Sequence, residues 1–250
     1  MPYLLVVKLT LLFIFYAVLI CLWLIRCAIA GTFQFYGFVM FNVALAMIPL
    51  LLEPFFRSIK SRLEGWRAIF GNTVLGFAWL MFIPNAFYLL TDFMHLNKSV
   101  LVNERADDYS GAVQYIRGEG VYVFDSLLIF VATLFGAYVG GLALSHAYVF
   151  LKKHLRKVRA TILLGIVLFL AGIGVYIGRF GRWNSWEAFY QPLNILHDFI
   201  HQLLNPQTRT RLFIVVLTIV LFQIMTLYIV HWIHSDRSRH RLKHSGNRSR

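Results

Sequence analysis

Asn85, Tyr88, Asp92 and His95 stand at intervals of three, four and three in the stretch FIPNAFYLLTDFMHL. On an α-helix that spacing forms one stripe. The stripe offers an amide, a phenol, a carboxylate and an imidazole, enough to bind a polar ligand and move a proton. It lies at the end of a long apolar run, where a carboxylate is costly and is usually paired. Asp92 is therefore its most informative member. Pro84, just ahead, removes a backbone donor and frees a carbonyl near position 80. A plainer reading stands beside this one: a helix leaving a bilayer often acquires Asn, Tyr, Asp and His.

A second cluster lies in GVYIGRFGRWNSWE, residues 174–187. Arg179 and Arg182 are about one helical turn apart, as are Asn184 and Glu187. Two guanidinium groups can hold a carboxylate or phosphate through forked hydrogen bonds. Their plainer use is to reach toward lipid headgroups. Asp125, about one turn inside its apolar run, is a third element. It also needs a partner, and Arg179 or Arg182 is the expected one. Together the clusters suggest Asp92, His95, Asp125 and Glu187 as acids and bases, or as oxygen and nitrogen ligands of one divalent metal. Asn85, Tyr88, Arg179, Arg182 and Asn184 would bind an anionic lipid or a lipid-linked envelope substrate.

The elements that must position these groups are membrane helices. Hydrophobic residues make up 59% of the 250 and charged residues 14%, against about a quarter charged in a typical soluble domain. Stretches of about twenty nearly uncharged residues match a hydrocarbon core of roughly 30 Å. Their length excludes barrel strands. The expected fold is an all-α polytopic bundle with six spans, at 9–29, 34–52, 69–90, 121–149, 161–178 and 212–234. Residues 1–234 form one integral membrane domain, and 235–250 form a basic, disordered tail. The first span is too long for a signal-peptide core, and Arg26 interrupts it. Cys21 and Cys27 fall on different faces of that span and read as buried thiols. FYQPLNILHDFIHQLL (189–204) is too short and too polar to span, and reads as an interfacial helix outside.

The net charge of +13 is not a nucleic-acid signature. Sixteen of the 24 Lys and Arg fall in the N-terminal segment, the second and fourth connections and the tail. Seven fall in the third and fifth connections, and Arg26 lies within a span. The positive-inside rule then puts both termini in the cytoplasm and the two polar clusters outside. The basic tail reads as a topology anchor that can also attract anionic lipid. Gly136 with Gly140, and Gly174 with Gly178, are small-xxx-small pairs suited to close helix packing. Tryptophans near the span ends suit interface anchoring. HDFIH (197–201) resembles a zinc-protease motif with Asp for Glu, but it needs a third ligand. His146, His154, His231 and His234 have no acidic partner nearby in sequence. Phosphate-binding glycine loops and a nucleophile elbow are absent, and nothing marks Ser185 as a nucleophile.

The motifs PNAFYLLTDFMHL, YVFDSLL and GVYIGRFGRWNSWE resemble the three signatures of a bacterial membrane family catalogued as domain of unknown function 1361. That family's pattern is P-N-x-x-Y-x-x-T-D-x-x-H-L, an aromatic-rich segment ending in Asp, and G-R-x-x-R-x-N-S-W-D. Pro84, Asn85, Tyr88, Thr91, Asp92, His95, Leu96, Asp125, Gly178, Arg179, Arg182, Asn184, Ser185 and Trp186 match it. Glu187 replaces the final Asp. The resemblance covers roughly residues 35–235. It implies a multi-pass protein of the bacterial cytoplasmic membrane, with the lipid bilayer as its surroundings, and supplies no activity. Three functions stay open: an outer-leaflet enzyme or binding site, a transporter or flippase, and a structural protein whose Asp and Arg residues lock the helices. Nothing in the sequence specifies an oligomeric state.

Overall fold

The computed structural model describes residues 2–30, 36–62, 64–96 and 119–246. All regular elements among them are helical. They run α1 (Pro2–Ala30), α2 (Gly37–Arg62), α3 (Gly65–Tyr88), α4 (Glu119–His154), α5 (Lys157–Tyr176), α6 (Glu187–Tyr190), α7 (Pro192–Leu204) and α8 (Pro206–Gly246). α3 continues as a tighter 3-10 segment over Leu89–His95, and α5 as a wider π-helical turn over Ile177–Gly181.

Six of these helices are long and apolar enough to cross a membrane: Leu12–Ile29, Gly37–Phe56, Gly65–Met94, Tyr122–His154, Lys157–Gly181 and Pro206–Ile233. Their mean hydropathy runs from 1.6 to 2.6. The protein is thus the multi-pass helical membrane protein that its composition implied. Apolar residues lie on every side of α1 and α5, as expected where a helix meets lipid as well as protein. α4 differs: 72% of its span is buried, against 22–39% for the others. It is the most enclosed of the six. α8 is helical through Gly246, well past position 234.

The chain forms two compact units. The first comprises residues 1–45 and 88–136. Its core includes Leu19, Val39, Val43, Leu89, Ile129 and Ala132. Phe15 and Phe135 stack with ring centres 5.0 Å apart. Thr133 Oγ1 donates to the Leu89 carbonyl at 2.9 Å, tying α4 to the 3-10 segment. Cys27 is buried but Cys21 is exposed, so only one of the two expected buried thiols is buried, and neither forms a disulfide. Six residues turn a helix by about 240° beyond a full turn, so the two thiols cannot share a face.

The second unit comprises residues 46–87 and 137–250. Glycines set its helix contacts. A Cβ at Gly140 would lie 2.7 Å from Phe87 Cζ and 2.8 Å from Ala86 Cβ, and one at Gly174 would lie 2.6 Å from Pro84 Cγ. These two glycines do what the small-xxx-small pattern suggested: they let a neighbouring helix come close. Pro84 sits inside α3 without ending it, as membrane helices allow. His146, which lacked an acidic partner nearby in sequence, contacts Glu53 of α2, with Nδ1 2.8 Å from Oε2. His231 Nδ1 lies 3.1 Å from Ser145 Oγ.

Candidate functional site

In the first unit the polar groups are buried and bonded. Asp125 is 1% exposed and Arg26 2%. Arg26 Nε lies 2.5 Å from Asp125 Oδ1, and Nη2 lies 3.1 Å from Oδ2. The expectation that Arg179 or Arg182 would pair with Asp125 is therefore corrected. The partner comes from α1, 99 residues earlier. A signal was present in the sequence. Arg26 is an ionisable group inside a span, and such a group requires an opposite charge or a polar cavity.

Asp92 is fully buried. Asn42 Nδ2, from α2, donates to its Oδ2 at 3.4 Å. Thr91 Oγ1 bonds back to the Tyr88 carbonyl at 2.6 Å. The α-helical stripe of Asn85, Tyr88, Asp92 and His95 is not maintained, because the backbone tightens to 3-10 geometry at Leu89. A 3-10 helix has three residues per turn, so positions three apart eclipse while positions four apart diverge. Asp92 and His95 therefore lie on one edge, and Tyr88 is rotated away from it. The His95 side chain lies outside the described residues.

In the second unit the polar groups gather where α5 ends. The π-helical turn Ile177–Gly181 contains Arg179. Arg182 follows with φ 58° and ψ 27°, the left-handed conformation. It is exposed. π turns recur at functional sites, and a non-glycine residue held in the left-handed region costs about 1–3 kcal/mol. The local structure must over-determine this conformation, and several bonds do so. Trp183 Nε1 and Gln202 Nε2 both donate to Asp198 Oδ2, at 2.9 and 3.1 Å. Asn184 donates its backbone N–H and its side-chain amide to Glu187 Oε2, at 2.5 and 3.1 Å. Asn85 Nδ2 donates to Ser185 Oγ at 2.8 Å, joining α3 to the same loop. A Cβ on Gly181 would lie 2.8 Å from Trp183 Cδ1 and 2.9 Å from Asp198 Oδ2, so any larger residue there would displace this bonded pair.

These bonds change several roles. Glu187 is a local clamp on Asn184, and Asn85 is a tie to Ser185. Asp198 orients Trp183, a pairing that no spacing in the sequence suggests. His197 and His201 are exposed. Among the described residues no three His, Cys, Asp or Glu side chains converge as metal ligands, and none of them adds the third ligand that a zinc site at HDFIH requires. The helix carrying it, α7, exposes Leu193, Leu196, Ile200 and Leu204 along one side, so the short amphipathic helix read from the sequence is present.

No curated protein and no solved structure matches the chain. A family model does match residues 41–226, and that span takes in all three polar motifs. The chain belongs to the family described as protein of unknown function, DUF1361.

Proposed function

We propose that the protein is an outward-facing, membrane-embedded binding site for an anionic lipid headgroup or a lipid-linked phosphate of the bacterial envelope, with both termini in the cytoplasm. The observation that supports this best is Arg182. It is exposed, strained and clamped, and it directly follows a π-helical turn. Proteins do not ordinarily hold an arginine in the left-handed region where glycine would cost nothing. A strained residue held in place by surrounding bonds points to a task for its side chain. An exposed guanidinium carried on a backbone held in this way suits forked recognition of phosphate oxygens. Arg179 lies in the preceding π-helical turn and Asn184 two residues after Arg182. In the first unit, Asp92 and His95 are the candidates for acid–base chemistry. Asp125, whose carboxylate is bonded to Arg26, fits a structural lock better than acid–base chemistry.

The test uses a deletion strain rescued by wild type or by Arg182→Gln, comparing envelope lipids and lipid-linked cell-wall precursors. The expected result is a normally abundant variant that leaves the deletion profile uncorrected. Full correction by Arg182→Gln would overturn the proposal.

A second reading is favoured by the Arg26–Asp125 pair: the buried acids lock the helices. Asp92→Asn separates the two. Normal abundance with a lost lipid phenotype assigns Asp92 to the chemistry, and loss of the protein assigns it to the lock.

A further inference from the structure

Arg211, in the second turn of α8, stands outside the motifs that contain Arg179 and Arg182. Its guanidinium carbon nevertheless lies 4.6 Å from the centre of the Phe180 ring. Phe180 is part of the π-helical turn, two residues before Arg182. Its ring is anchored. It lies 4.9 Å from the ring of Tyr176, which is fully buried, and it packs on the core formed by Tyr176, Leu212 and Val216. Phe199 of α7 joins the same core. Arg211 therefore has a rigid aromatic platform. A guanidinium over a ring engages the ring with its face, while its N–H donors lie in the plane and stay available to oxygens.

Among the described residues neither Arg182 nor Arg211 is in an ion pair. The two carboxylates of this stretch are engaged elsewhere, Glu187 by Asn184 and Asp198 by Trp183 and Gln202. Two residues span at most about 7 Å of chain, so the platform holds Arg211 in the neighbourhood of Arg182. Two exposed cations are thus held at the same end of α5, one following the π-helical turn on a strained backbone and the other over an aromatic ring of that turn.

We propose that Arg182 and Arg211 together form a receptor for a doubly charged phosphate, a phosphomonoester or diphosphate head, in preference to a singly charged phosphodiester. This rests on the anion-site reading above and narrows its ligand class. A phosphodiester has one negative charge and two free oxygens, which a single forked guanidinium satisfies. A phosphomonoester has a third free oxygen and a charge of about −1.5 to −2 at neutral pH. Only such a head gives the second guanidinium a partner.

The experiment places the full chain in phosphatidylcholine nanodiscs doped with phosphatidic acid, a monoester, or phosphatidylglycerol, a diester, and measures lipid binding by titration. The wild type is expected to bind phosphatidic acid about tenfold more tightly, a difference of about 1.4 kcal/mol. Arg211→Gln should bring the two affinities within about twofold by weakening phosphatidic acid alone, whereas Arg211→Lys should keep most of the preference. Phe180→Leu, which removes the platform, should reduce the preference and serves if Arg211→Gln does not fold. Arg159→Gln, at the start of α5, should change neither affinity. A preference that survives both Arg211→Gln and Phe180→Leu overturns the proposal, as does an equal loss in Arg159→Gln, which would mean a diffuse charge effect. Arg182→Gln should weaken both lipids. If it weakens neither, the anion-site reading itself fails, whatever Arg211 does.

Discussion

Arg26 and Asp125 form a two-point ion pair across 99 residues of sequence, with both side chains 2% exposed. Neither charge is tolerable alone in that setting, because each would be left buried without a counter-charge. Removing one partner of such a pair costs about 3–5 kcal/mol, while replacing both with apolar residues is often neutral. Arg26→Gln and Asp125→Asn should each lower the unfolding free energy in detergent by about that amount. Arg26→Met with Asp125→Leu should return to within about 1 kcal/mol of wild type. A double variant as unstable as the singles would show that the charges do more than satisfy each other.

The strain at Arg182 can be separated from its function. Glycine adopts its φ of 58° without penalty. Arg182→Gly should therefore keep or raise thermal stability, by up to about 1 kcal/mol, while losing anionic-lipid binding. A variant that is both less stable and binding-competent would contradict the assigned role.

Gln223 is fully buried in α8, and neither heteroatom of its amide has a hydrogen-bond partner among the described residues. Burying an unsatisfied amide costs about 1–3 kcal/mol. Gln223→Leu has similar volume and no such cost, so it should stabilise the protein by about 1–2 kcal/mol. Thermal unfolding in micelles reads this directly, and destabilisation would mean the amide has a partner in the bilayer.

The glycines divide by contact. Gly140→Ala and Gly174→Ala push a methyl group into Phe87 and Pro84, and overpacking of this kind costs about 1–3 kcal/mol. A Cβ on Gly165, in α5, would meet nothing within 4 Å. Gly165→Ala should be neutral or stabilising by up to about 1 kcal/mol, because alanine is the better helix former. Equal effects at all three positions, measured by loss of helical signal on heating, would discount close packing as the reason for Gly140 and Gly174.

Much of the architecture was legible from local properties. Span length and hydropathy depend on neighbouring residues and on bilayer thickness, so six spans could be counted before any contact was known. The amphipathic helix α7 followed from periodicity, and two packing glycines followed from spacing. What spacing could not reveal was a change of helix type. The stripe of Asn85, Tyr88, Asp92 and His95 assumes 3.6 residues per turn, and the chain tightens at Leu89. The same limit hid the left-handed Arg182, whose conformation depends on bonds from Asp198 and Glu187 to the loop around it.

The sequence by itself determined that this is a multi-pass helical membrane protein with buried acids that need partners, because the cost of exposing backbone or charge to hydrocarbon is a local quantity. Only the tertiary structure decided which partners those are. Arg26, rather than Arg179 or Arg182, meets Asp125, and Phe180 offers its ring to Arg211. Pairing in a helix bundle is set by which faces turn toward each other, and that depends on packing between segments far apart in the chain.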